Sequence, residues 1–139
     1  MHIRPFRLSD HQSVSRLLST VLSEECCHET MEALARQLSL DSELVLVAVD
    51  DQQRACGVII GTVDHHYGFY YRLAVDWHYQ GKGYGKALIT ALGERFMKRN
   101  VRKIWVAADE HNRPVLPLYE SFGYYPWDKP VQMLKIVNG

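Results

Sequence analysis

The chain has no excess of either charge: sixteen Lys and Arg balance sixteen Asp and Glu over 139 residues. Nucleic-acid binders that work through bulk charge carry a basic surplus or stripe, so that class is excluded and any anion site must be local. No apolar run comes near the ~20 residues that a membrane-spanning helix needs, so no membrane partner is expected. The N-terminal stretch MHIRPFRLSD lacks the apolar centre of a secretory leader, which makes the cytoplasm the expected location. Cys26, Cys27 and Cys56 are too few and too oddly numbered for a disulfide framework. Cys26-Cys27-His28 has no second ligand pair at zinc spacing, so no metal is expected and the thiols read as reduced and non-catalytic. There is no low-complexity tract, internal repeat or dividing linker. The length therefore suits one domain over 1–139, large enough to bury a core without staples.

What is present is a hydrophobic period that changes along the chain. HIRPF (2–6) reads as a short edge strand. Ser9-x-x-Gln12 has the form of a capping box, and Val14, Leu17, Leu18, Val21 and Leu22 recur at helical spacing behind it. Met31, Leu34, Ala35 and Leu38 mark a second helix over 29–40, with the polar SEECCHE as a linker between the two. The run ELVLVAV (43–49) is a strand buried on both faces, and 55–63 and 69–75 follow it across turns as a meander. A long helix ends near Asn100, a strand covers 103–109, and a short helix around 114–121 has Gly123 as its C-terminal stop. VQMLKIV (131–137) is the last strand. This order describes one α/β domain built on a mixed sheet.

YQGKGYGKAL (79–88) places Gly81, Gly83 and Gly85 at the mouth of the long helix, where each carries a conformational cost that Ala would avoid. Glycines there let an anion approach bare backbone N–H groups at the positive end of the helix dipole, and Lys82 and Lys86 add charge locally. The stretch fails the dinucleotide fingerprint, because Lys86 stands at the third glycine position. It fails the P-loop, because Gln80 and Ala87 stand where glycine and a hydroxyl are required.

Gln80-Gly81-Lys82-Gly83-Tyr84-Gly85 does match Q/R-x-x-G-x-G/A, the coenzyme A pyrophosphate loop of the GNAT superfamily of N-acyltransferases, and the whole chain resembles that family. LAVDWHYQGKGYGKAL is similar to its central block, and NRPVLPLYESFGY, with Asn112 and Tyr119 seven apart, to its N-x-x-A-x-x-x-Y-x-x-x-G-[FY] segment. Val115 replaces the usual alanine, and Pro117 is an added proline. The resemblance implies a GNAT-like fold: a mostly antiparallel central sheet splayed at its middle, with about four helices. It also implies an acetyl-CoA-dependent N-acetyltransferase in which an amine attacks the thioester directly.

By the same resemblance, Leu73, Ala74 and Val75 lie along the pantetheine arm, with Ala74 and Val75 giving main-chain groups and the Val75 N–H facing the oxyanion. Gln80, Gly81, Lys82, Gly83, Tyr84, Gly85 and Lys86 hold the pyrophosphate. Asn112 orients the pantetheine amides or caps the short helix. Tyr119 is the acid that protonates the leaving thiolate, a task suited to a phenol that stays neutral at pH 7. Many relatives place a glutamate on the central strand, but GFYYRLAV has none. Glu24, Glu25, His65, His66, Asp76, His78 and a chain of waters are the candidate bases, and none is preferred.

The acceptor is a primary amine of a small molecule or peptide, expected between the first two helices, the 64–68 loop and the C-terminal strands. Tyr67, Tyr70, Tyr71, Tyr125 and Trp127 would give that region aromatic character suited to a cation. The resemblance allows a homodimer through edge strands. Two competing readings keep the same loop: an acyl-CoA sensor without turnover, and a nucleotide binder.

Overall fold

Five residues that read as apolar without interruption, Val45–Val49, form a strand (β2) buried on both faces. Leu46 and Ala48 point to one side, and Val45, Val47 and Val49 to the other. In the computed structural model, which describes residues 1–107, 110–128 and 132–136, β2 lies between β1 (His2–Pro5) and β3 (Ala55–Asp64). The sheet continues through β4 (Tyr67–Val75) and β5 (Lys103–Ala107) to β6 (Tyr125–Asp128) and β7 (Gln132–Ile136), in the order β1-β2-β3-β4-β5-β7-β6. Every pairing is antiparallel except β4 with β5, which α3 (Tyr84–Lys98) connects. This is the mixed sheet expected from the element order.

Helices cover both faces. α1 (His11–Val21) and α2 (Glu24–Leu40) put Val14, Leu18 and Leu34 against Val47, Val58 and Ala74. α3 puts Leu88, Leu92 and Phe96 against Leu46, Ile59 and Tyr70 on the other face, where α4 (Leu116–Ser121) joins it. Each such fully buried Leu or Phe contributes about 1.5–3 kcal/mol of transfer free energy.

Three boundaries differ from the sequence reading. The first helix starts at His11 after a 3-10 turn, and no Ser9–Gln12 box forms; the carboxylate of Asp10 instead accepts from the Arg7 N–H at 2.8 Å. The stretch expected as a linker before residue 29 is helical from Glu24. Ser23 caps it by accepting from Cys26 N at 3.2 Å, and Glu24 and Glu25 sit favourably at the positive helix end. Strand β6 was not expected. Residues 108, 109, 131 and 137 of the expected strands, and the Trp127 side chain, fall outside what is described.

Two irregularities shape the centre of the sheet. Ile60 faces Arg72 while Gly61 faces Tyr70, so Tyr71 is an extra residue, a β-bulge in β4. β5 pairs with β4 only from Tyr67↔Lys103 to Tyr70↔Val106, although β4 runs on to Val75.

The start of the chain is held by a buried ion pair. Arg4 Nη1 and Nη2 donate to the two Asp10 oxygens at 2.7 and 2.9 Å. Burial alone would raise the Asp10 pKa, but the Arg4 guanidinium and the Arg7 N–H outweigh it and hold the carboxyl below its usual range. A depressed folded pKa gives stability that is present above the unfolded value, about 3.9, and lost as pH falls through the folded value. Asp10→Asn, which strands Arg4 without its charge partner, should cost about 3 kcal/mol in urea unfolding at pH 7. The gap to the unsubstituted protein should narrow below about pH 4, as that protein loses the same interaction.

Candidate active site

Beyond Tyr70 the β5-facing edge of β4 has no strand beside it among the described residues. Which groups face that gap follows from the ladder on the other edge. Asp76 N donates to Cys56 O at 2.9 Å, so by antiparallel alternation Ala74 bonds to Val58 and Arg72 to Ile60. Leu73 and Val75 then point their N–H and C=O groups the opposite way, into the gap. This corrects one expectation: the main-chain groups of Ala74 belong to the sheet, and those of Leu73 and Val75 are the ones presented. All three residues line a cleft of about 260 Å³.

The loop after β4 is braced at both ends. Asp76 accepts from His78 N at 2.9 Å across the turn Trp77–Tyr79, and Gln80 Nε2 donates to Val75 O at 3.0 Å. Gln80 thereby folds the loop back over the strand end. Gly81 (φ 78°) and Gly83 (φ 89°) are left-handed, and an added Cβ would meet nothing within 4 Å at either. Backbone conformation, not crowding, therefore demands glycine there, and the space around it stays open to an incoming group. Gly85 differs: its Cβ would stand 2.7 Å from Leu118 Cδ2, so glycine lets α3 and α4 touch.

α3 begins without a side-chain cap, and Ala87 N, donating to Gly83 O at 3.0 Å, makes its first helical bond. The N–H groups of Tyr84, Gly85 and Lys86 precede that bond and lack helical acceptors. Beside them the Lys82 Nζ lies 5.6 Å from the centre of the Tyr79 ring, and Lys86 is exposed. The result is a concentrated positive site in a chain of zero formal net charge.

Tyr119 lies in α4, 1% exposed and behind the cleft wall rather than on it, with ring centres of Tyr70 at 5.2 Å and Tyr124 at 5.7 Å. Burial first, and Tyr70 second, raise its pKa well above that of free tyrosine, with Arg72 acting the other way; the phenol is neutral at physiological pH. Its hydroxyl makes no hydrogen bond with the described residues. Pro117 is the second residue of α4, where its missing N–H costs no helical bond. Asn112 is placed differently from expectation. It is 2% exposed and is not on the cleft wall; its amide is bonded to Arg72, Tyr71 and Ala107.

The residues weighed as bases scatter. His65 and His66 sit in the β3–β4 hairpin, at the end of β4 where β5 still pairs, and so does the 64–68 loop expected to frame the acceptor. Asp76 and His78 face a separate concavity with Arg16, Asp50 and Arg54. Glu24 and Glu25 are exposed on the first turn of α2. The sequence reading gave no site role to several groups on the cleft wall, among them Val21 and Leu22 at the end of α1, exposed Trp77, and His111. The position of His111 beside Asn112 in a recognised segment was the signal available for it.

The sequence profile of the Acetyltransferase (GNAT) family matches residues 11–124. An acetyltransferase of Yersinia enterocolitica is 31% identical over 133 residues, covering 92% of this chain and 90% of that protein. Among solved structures, the PaiA N-acetyltransferase of Thermoplasma acidophilum, in complex with coenzyme A, superposes with a TM-score of 0.81 at 17% identity, covering 98% of each chain. The NatC complex bound to Gag peptide and CoA superposes with a TM-score of 0.82 at 20% identity, covering 99% of this chain and 98% of that one. With the profile spanning most of its length, on a sheet that parts at β4 and β5, this chain belongs to the GNAT family of acetyl-CoA-dependent acetyltransferases.

Proposed function

We propose that this protein moves the acetyl group of acetyl-CoA onto a primary amine of a small molecule or peptide, by direct attack of the amine on the thioester. One observation carries the reading: the unpaired edge of β4 at Leu73 and Val75 runs straight into the bare N–H groups that open α3. An acyl carrier with an extended amide-bearing arm and a diphosphate has matching groups in the same order. Its arm pairs with the strand edge as an added strand does. Its diphosphate meets Gly81, Gly83 and the N–H groups of Tyr84, Gly85 and Lys86, with Lys82 and Lys86 as counter-charges.

In the reaction the amine nitrogen bonds to the thioester carbon, the carbonyl oxygen takes negative charge, and the C–S bond then breaks. The Val75 N–H faces the gap and serves the oxyanion. The departing thiolate needs a proton, and the neutral Tyr119 hydroxyl, with no partner among the described residues, is the donor; the second proton that the nitrogen loses on becoming an amide restores the phenol. An alkyl ammonium, with a pKa near about 10, must shed a proton before it attacks. That proton leaves through the open side of the cleft, whose wall includes His111. Asn112 is assigned no direct contact with the donor. The peptide held by the NatC complex supports including peptide N-termini among the acceptors to be tested.

Thiol release from acetyl-CoA, measured across a panel of polyamines, amino acids and peptides, tests the activity. At least one amine should accelerate release; a protein that binds acetyl-CoA tightly yet releases no amine-dependent thiol would be a sensor, and the proposal would fall. Gly83→Asp, which places a carboxylate on a left-handed residue at the diphosphate site, should weaken acetyl-CoA binding by about a hundredfold or more in calorimetry. Tyr119→Phe should lower kcat by about a hundredfold with little change in the KM for acetyl-CoA, as loss of a general acid requires.

A further inference from the structure

The β4–β5 ladder stops at Tyr70↔Val106, and the next step would have joined Tyr71 to Ala107. The carboxamide of Asn112 occupies that step. Its Nδ2 donates to Tyr71 O at 3.0 Å and to Ala107 O at 2.6 Å, one hydrogen to each strand. Its Oδ1 accepts from Arg72 Nη1 at 2.8 Å. That third bond decides which way the amide is turned. Reversed, the amide would set its NH2 against a guanidinium donor and its oxygen against two carbonyl oxygens. Arg72 is itself fixed, opposite Ile60 in the β3–β4 ladder, with its guanidinium carbon 5.0 Å from the centre of the Tyr71 ring. Asn112 and Arg72 are each 2% exposed, so water does not readily replace a lost partner.

We propose that Asn112 is the wedge that holds β4 and β5 apart at the apex of the cleft, and that Arg72 is the positioning residue that keeps the wedge turned correctly. The separation of the strands is then held by a side chain, not left to strand curvature alone. Without the wedge, two part-buried carbonyl oxygens, Tyr71 O and Ala107 O, lose this donor at the point where the acyl carrier's arm would enter. The same segment, Glu110–Val115, leads directly into α4, so the wedge also sets how deeply Tyr119 is seated. The bulge at Tyr71 serves this arrangement. It turns the Tyr71 carbonyl toward Asn112 and leaves Leu73 and Val75 in phase with it along the open edge.

The structural arm of the test is amide hydrogen exchange on the ligand-free protein. In Asn112→Ala, the ladder-bonded amides of Arg72 and Ala74 and those of Trp105–Ala107 should exchange about tenfold faster or more, while those of Val45–Val49 stay as they were. Arg72→Met should give the same pattern, and the double variant should be no worse than Asn112→Ala alone. Arg72→Lys and Asn112→Ser, milder changes, should show it in reduced form if the first pair folds poorly.

The functional arm rests on the proposed activity. The KM for acetyl-CoA should rise about tenfold in both single variants while the KM for the amine holds. Unchanged exchange in Asn112→Ala would overturn the wedge. So would a loss of acetyl-CoA affinity in Asn112→Ala with none in Arg72→Met, because Asn112 would then be touching the carrier itself. Exchange is read without ligand, so failure of the unsubstituted protein to bind acetyl-CoA would count against the activity and not against the wedge.

Discussion

The constraint on which the site depends is a main-chain edge left without a neighbouring strand. A sheet gains its stability by pairing every N–H and C=O, and β4 meets that demand fully against β3. On the other side it is paired through only Tyr70, and the edge beyond faces a gap. An unpaired edge inside a protein is unfavourable unless something supplies partners. Asn112 supplies one at Tyr71 and Gln80 supplies one at Val75, and under the proposed function the acyl carrier supplies the rest. The fold thus carries a vacancy with the chemistry of a strand.

Charge follows the same economy of placement. A chain with equal numbers of acidic and basic residues has no long-range field to attract a polyanion. Positive charge is instead concentrated locally, in helix-end N–H groups without a side-chain cap and in two lysines four residues apart. Elsewhere four arginines are taken up by acidic partners: Arg4 with Asp10, Arg54 with Asp50, Arg95 with Glu43, and Arg99 with Asp41. The Arg99–Asp41 pair, with Glu43 and Arg95 beside it, also ties the far end of α3 to the turn before β2. The helix that would receive a diphosphate at one end is therefore fastened at the other.

Much of this was legible in the residue pattern, and what was not has identifiable causes. The glycine loop and the Asn112–Tyr119 spacing are local patterns, so the sequence displays them directly. The apolar runs of β2 to β5 are long enough to announce themselves. The first turn of α2 was hidden because Glu24, Glu25, Cys26, Cys27 and His28 show no apolar period; Ser23 and the helix dipole decide it instead. Strand β6 was hidden by Pro126 and by shortness. The hydrogen-bond partners of Asn112 and Ala74 were not legible for another reason: which partner a polar group takes depends on strand register, and register shifted at the Tyr71 bulge. The place of His65 and His66 likewise depends on which end of β4 stays paired, a fact of topology that no motif records.

The contact of Gly85 with Leu118 ties two distant tasks to a single dimension. Gly85 stands in the first turn of α3, and Leu118 adjoins Tyr119 in α4. Any side chain at 85 would press on Leu118, and through it on the helix that carries Tyr119. The opening of one helix and the seating of a phenol in the other are thereby set by the same close contact.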